Sequence, residues 1–84
     1  MQRIWWTSVD GDVVRYGVQT QGTDSRWWLI AQIDAVIPSD NWDSAREQFF
    51  YDHATGEPEN LYRVTATSAL GTVLGESPIF QANA

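Results

Sequence analysis

The chain contains no cysteine, only one histidine and one methionine, and three prolines in 84 residues. Without cysteine, neither a disulfide framework nor a thiolate metal site supports the fold. Lysine is absent too, and five arginines stand against seven aspartates and four glutamates, a net charge of −6. A domain this acidic has no basic patch for phosphate contacts, which argues against nucleic acid as partner. The same charge opposes docking on anionic membranes. No apolar run approaches the 18 residues of a spanning helix. The opening Met1-Gln2-Arg3-Ile4-Trp5-Trp6 lacks the apolar stretch and small-residue cleavage site of a signal peptide. The expectation is therefore a chain not exported on its own, or a piece of something longer. The missing cysteines leave its compartment open.

Aromatic residues are what the sequence has in quantity: five Trp, three Tyr and three Phe. Each buries a large area, so eleven of them can hold a core together in a single domain spanning residues 1–84. A domain of this size buries only about 60% of the surface its unfolded chain exposes. A modest stability, on the order of 5 kcal/mol, follows.

Turn signals recur at short intervals: Asp10-Gly11-Asp12, Gly22-Thr23-Asp24-Ser25, Pro38-Ser39-Asp40-Asn41, Thr55-Gly56-Glu57-Pro58 and the loop from Gly71 to Gly75. Such spacing predicts an all-β sandwich or barrel. Strands are expected at Arg3–Ser8, Val13–Gln21, Arg26–Gln32, Gln48–Asp52, Leu61–Ser68 and Pro78–Ala82. The clearest is Leu61–Ser68, where Tyr62, Val64 and Ala66 alternate with Arg63, Thr65 and Thr67, the period of a strand with one buried face. In the second strand Val14, Tyr16 and Val18 are expected on one face, with Arg15, Gly17 and Gln19 on the other. Between Asp34 and Gln48 a long loop is expected. Its Ser44-Ala45-Arg46-Glu47 fits a capping box with Asp40, Asn41 or Ser44 as cap, but is too short for more than a turn or two of helix.

Few residues suggest chemistry. His53, beside Asp52 and Tyr51, has no nucleophile placed by a motif and reads as a turn histidine rather than a catalytic base. Asp10-Gly11-Asp12 lacks the spacing and distal acid of a calcium loop and reads as turn chemistry. Glu57 and Glu59 flank Pro58 in a turn, and no phosphate-binding loop exists. No catalytic, cofactor or metal site is expected, and the chain is not expected to be an enzyme.

Binding residues are better represented. In the doublets Trp5-Trp6 and Trp27-Trp28, strand geometry turns one member of each outward. An outward ring can pack under Arg3, Arg15 or Arg26, anchor a protein interface, or stack on a sugar. Trp42 lies in an acidic loop, where it either caps one end of the core or meets a partner. Leu70, Val73 and Leu74 crowd what reads as a hairpin tip, either folded over the end of the sandwich or exposed as a patch. Trp5, Trp42, Leu70, Val73 and Leu74 are the expected partner-binding residues.

The order of these pieces resembles a fibronectin type III module, an immunoglobulin-like antiparallel sandwich of six to seven strands. Ile4, Trp6 and Thr7 resemble the family's B strand, and Tyr16 with Val18 the buried pair of its C strand. Trp27 or Trp28 matches a tryptophan of the strand after it, and Phe50-Tyr51-Asp52 the strand before F. "LYRVTATSALG" followed by "GESP" is similar to the F strand, FG loop and start of G. Two features depart from the pattern. Asn60 stands where the family has its corner tyrosine, so that tie is missing or replaced by the Asn side chain. Strand A is short or missing ahead of Ile4, which leaves strand B as a sheet edge. The resemblance implies a non-catalytic interaction or spacer module of a larger secreted, surface or virion protein. It would act through a protein partner or neighbouring domain, or as a homo-oligomer through the strand B edge. The alternative is a carbohydrate-binding module using exposed Trp.

Overall fold

The computed structural model describes residues 1–82, which form eight strands and no helix. In chain order they are β1 (Gln2–Trp6), β2 (Val13–Gln21), β3 (Trp27–Asp34), β4 (Trp42–Asp43), β5 (Gln48–His53), β6 (Leu61–Ser68), β7 (Val73–Glu76) and β8 (Phe80–Gln81). All pairings are antiparallel and give two sheets. One sheet runs β1-β5-β4; the other runs β3-β2-β6-β7, with β8 also paired to β6. This is an all-β, sandwich-like architecture.

The core lies between the sheets and follows the alternation of the strands that face it. Ile4 and Trp6 of β1, Phe49 of β5, Tyr16 and Val18 of β2, Ile33 of β3, and Tyr62, Val64 and Ala66 of β6 are all buried. Phe49 is the hub of its upper half. It pairs across the strands with Trp6 and Trp42 and meets both rings, stacked at 6.0 Å and edge-on at 4.9 Å. From the opposite sheet it receives Tyr16, 5.0 Å away. Offset and edge-on pairs of this kind are favoured by the ring quadrupoles beyond the area they bury.

Several expectations about the strands are corrected here. β2 and β6 have the expected bounds, whereas β1 ends at Trp6 and β3 extends to Asp34. The loop expected between Gly71 and Gly75 holds most of β7, and the last strand is confined to Phe80–Gln81. Val14 does not join Tyr16 and Val18 in the core. A register shift between Val13 and Arg15 against β6 turns it out to 38% exposure, because a bulge interrupts the two-residue alternation. No helix forms at Ser44–Glu47. Those residues make a tight β4–β5 turn whose cap is Asp43, with Oδ1 accepting from the amides of Ala45 and Arg46 at 2.9 and 3.0 Å. Glu47 closes the turn with φ 56°, the left-handed residue that four-residue hairpin loops use. Asn60 does supply a side-chain tie in the β5–β6 turn: its Oδ1 accepts from the Glu57 amide at 2.7 Å, while its own amide donates to the Glu57 carbonyl at 3.0 Å.

Phe49→Ala removes the ring shared by both sheets and is expected to lower the unfolding free energy by about 3–5 kcal/mol. Phe50→Ala, one residue on and on the outer face, is expected to cost about 1 kcal/mol. Urea melts of the two variants, followed by tryptophan fluorescence, check the difference; equal losses would contradict a core centred on Phe49.

Candidate functional site

The hairpin tip after β6 is built to present a side chain. The Ser68 amide donates to the Thr72 carbonyl at 2.9 Å and the Gly71 amide to the Ser68 carbonyl at 3.0 Å. Ser68 Oγ also accepts from the amides of Leu70 and Thr72. Gly71 takes φ 81°, the left-handed conformation that a three-residue hairpin loop requires and glycine adopts without strain. With the backbone pinned this way Leu70 cannot fold over the sandwich, and it stands 93% exposed. Val73 and Leu74 follow it into solvent at 57% and 48%. Leu74 is the extra residue where the β6–β7 register shifts between Ala66 and Thr67. Of the two alternatives for this trio, the side chains are exposed rather than folded over the end of the sandwich.

The apolar surface continues past the tip. Leu70 and Ala69 share a groove with Val13, Val14, Gly11 and Asp12. The Val14 carbonyl accepts from the Ala35 amide at 3.0 Å, which brings Val36 and Ile37 alongside, 56% and 53% exposed. Sequence reasoning missed Val14, Val36 and Ile37. The signal available was an apolar doublet directly before Pro38, where a polar turn is the rule.

The tryptophans divide differently. Trp6 is buried and Trp5 lies on the outer face of the three-stranded sheet, so that doublet splits as expected. Trp5 is covered rather than bare. Phe50 lies 5.4 Å from it, and the guanidinium of Arg46 sits 3.8 Å over the ring, with Arg3 at 5.6 Å. Both members of the second doublet are partly exposed, Trp28 at 51%. Arg63 lies 4.3 Å over Trp27 and Arg26 5.1 Å over Trp28. Arg3 and Arg26 therefore serve as the expected covers, and Arg46 and Arg63 join them. Trp42 sits in the two-residue strand β4, not in a free loop, and its ring packs edge-on against Phe49.

His53 ends β5 rather than occupying a turn, and it faces the other sheet. Its Nδ1 lies 2.8 Å from the Tyr62 hydroxyl and its Nε2 3.3 Å from Thr55 Oγ1. A neutral ring protonated at Nε2 satisfies both contacts: the tyrosine hydroxyl donates to Nδ1, and Nε2–H donates to the threonine. Burial, and next the positive chain terminus, push the His53 imidazolium below its ordinary value; burial pushes the Tyr62 phenol above its own. Gly56 closes this corner, since a Cβ there would lie 2.7 Å from the Tyr62 hydroxyl and 2.8 Å from His53 Nδ1. The pair joins the two sheets, β5 on one side and β6 on the other.

The depressed His53 pKa carries a definite sign. The unfolded chain binds its proton first as pH falls below about 6.5, so folding stability declines from there down through the folded-state value. Asp52, held below the usual carboxylate range by hydrogen bonds from Arg3, adds a second decline in the same direction below about pH 4. Urea melts between pH 3 and 8 are expected to show both, and His53→Gln to remove only the upper one. An upper slope that survives in His53→Gln would contradict this assignment. Compared with known proteins, the chain matches no family model, and no curated protein or solved structure is significantly similar to it.

Proposed function

We propose that this domain is a non-catalytic interaction or spacer module with an immunoglobulin-like, fibronectin type III-like sandwich, working within a larger secreted, surface or virion assembly. The observation that carries the reading is the apolar loop end. Leu70 is held out by a loop backbone fixed at four hydrogen bonds. Val14 shares its groove, and Val36, Ile37, Val73 and Leu74 are exposed as well. An ordered apolar patch on a small acidic domain is a cost in solubility unless another surface covers it. The sheet orders β1-β5-β4 and β3-β2-β6-β7 support the family reading, because they match the connections expected if β1, β2, β5 and β6 stand for that family's B, C, E and F strands.

The charge around the patch indicates the partner's character. Asp12 lines the groove under Leu70, Asp10 lies two residues before it and Asp34 precedes Ala35. The fitting partner is a protein surface with an apolar centre and an arginine- or lysine-bearing rim. Carbohydrate stacking has less support, because a sugar ring needs a bare aromatic face and arginines lie over Trp5, Trp27 and Trp28.

A photo-crosslinking residue at position 70, in the chain produced within its native assembly, is expected to give one discrete protein adduct. The same residue at the exposed position 23 is expected to give none. Val73→Asp should reduce the adduct about tenfold or more by burying an unpaired charge, while leaving the melting temperature within about 2 °C. Equal labelling from positions 70 and 23 would overturn the proposal.

A further inference from the structure

The sheet edges differ in how they are closed. β4 has two residues, β7 has four with a bulge and Pro78 shortly after it, and β3 is bulged where it faces Val18 and Gln19. Short strands, bulges and prolines are devices that stop a sheet from recruiting another strand. β1 has none of them. Its five residues pair with β5 in unbroken register, Gln2 with His53 through Trp6 with Phe49, and among the described residues no strand lies on its other side. The backbone groups of β1 that do not reach β5 are therefore unpaired by any strand.

Beside this edge the sandwich is open. A cleft of about 290 Å³ runs between the sheets, walled by Trp6 and Thr7 on one side and by Val64, Ala66 and Gly75 on the other, with Tyr16 among its lining. Its surface is mostly apolar, and Glu76 stands at its rim. Next to it the buried Trp6 indole Nε1 has no hydrogen-bond partner. The cleft is about twice the ~150 Å³ cavity that accepts a benzene ring. Two medium-sized side chains fit it.

We propose that β1 and this cleft form a binding site for an extended polypeptide segment, which adds a fourth strand to the β1-β5-β4 sheet. A residue of an added strand opposite Trp6 shares its inward face, and the next inward residue continues beside Thr7 and Val9, which line the same cleft. Two apolar side chains at alternate positions then enter the cleft, while the segment's backbone pairs with the β1 edge. A second copy of this domain does not fit the site. Its own β1 already has Ile4 and Trp6 committed to its own core, and a five-residue edge contact falls well short of the roughly 1,200 Å² that a specific interface between folded proteins needs. The occupant is a segment without a core of its own. Its charge is set by Glu76, whose contact with Arg63 is long at 3.5 Å, and by the net −6 of the chain: the segment carries arginine or lysine beside its apolar pair. This inference rests on the reading of the domain as an interaction module but uses a different surface from the Leu70 end, so the two can fail separately.

The probe is the capped heptapeptide Arg-Ser-Val-Ser-Val-Ser-Arg, added to the 84-residue chain and followed by amide exchange and calorimetric titration. Saturation is expected to slow exchange of the outward β1 amides about tenfold or more. Replacing both valines of the peptide by serine should weaken binding about a hundredfold, the loss of two buried valine side chains. Gly75 supplies the counter-test on the protein. It pairs with the inward-facing Ala66, and a Cβ there meets nothing within 4 Å. Gly75→Leu therefore directs its side chain into the cleft and should weaken the peptide about tenfold at unchanged thermal stability. Leu70→Asp should leave peptide binding as it is. No slowing of β1 exchange at millimolar peptide, equal binding of the all-serine peptide, or undiminished binding to Gly75→Leu would each overturn the proposal.

Discussion

The contact between Phe49 and Tyr16 holds the two sheets of this domain to one another. Among the described residues no strand pairing joins the two sheets, so beyond the connecting loops their relative position rests on side chains, across the roughly 10 Å that separates packed sheets. Aliphatic residues such as Ile4, Val18 and Val64 fill the middle of that gap. The wide end is spanned by rings: Trp6 and Phe49 from one sheet against Tyr16 from the other. Tyr16 extends the tie beyond the core, because its hydroxyl accepts from the Val9 amide at 3.0 Å and so fastens the β1–β2 connection. At the opposite end the His53–Tyr62 pair plays the same part with a polar contact between the rings. A chain without cysteine thus replaces covalent cross-links with two aromatic bridges.

That arrangement also explains where the sandwich is incomplete. Three strands face five, and the smaller sheet cannot cover the larger one to its edge. On the β4 side Trp42 compensates by laying its ring on Phe49. On the β1 side nothing of comparable size follows Trp6, and the cleft against Ala66 and Gly75 remains. Ala66 and Gly75 set its width: larger residues at either place would close it from within. The β1 edge and the apolar cleft adjoin one another, since Trp6 belongs to both.

How much of this was legible in the residues depended on whether local pattern or long-range pairing decides the outcome. β6 was legible because Tyr62, Val64 and Ala66 face the core without interruption, and β2 because its bounds are set by flanking turn residues. The same alternation misplaced Val14, since a bulge is a property of two strands and leaves no mark in one. β4 and β7 exist only through pairing with β5 and β6; two or four residues carry too little periodicity to announce themselves. In the site, the apolar character of Leu70, Val73 and Leu74 was evident, but their direction was not. It is decided by Ser68 and Gly71, which fix the loop backbone and leave the leucine nowhere to turn. The His53–Tyr62 contact, between residues on facing sheets, had no local signal at all.

The arginines connect the tryptophans to the electrostatics of the whole surface. Arg3, Arg26, Arg46 and Arg63 each lie over an aromatic ring, and Arg3 also forms a two-point pair with Asp52 at 2.6 and 2.8 Å. Partly exposed ion pairs contribute little on their own. A guanidinium stacked on a ring keeps its stem over apolar surface and its charge at the rim, so it shields indoles that would otherwise be bare. Positive charge used in this way is confined to the outer faces of the sheets. Asp34 has Arg15 opposite it across β2 and β3, while Asp10 and Asp12 make no ion pair among the described residues. Carboxylates thus stand beside exposed apolar side chains at this end of the domain, and any surface that covers Leu70 must also answer them.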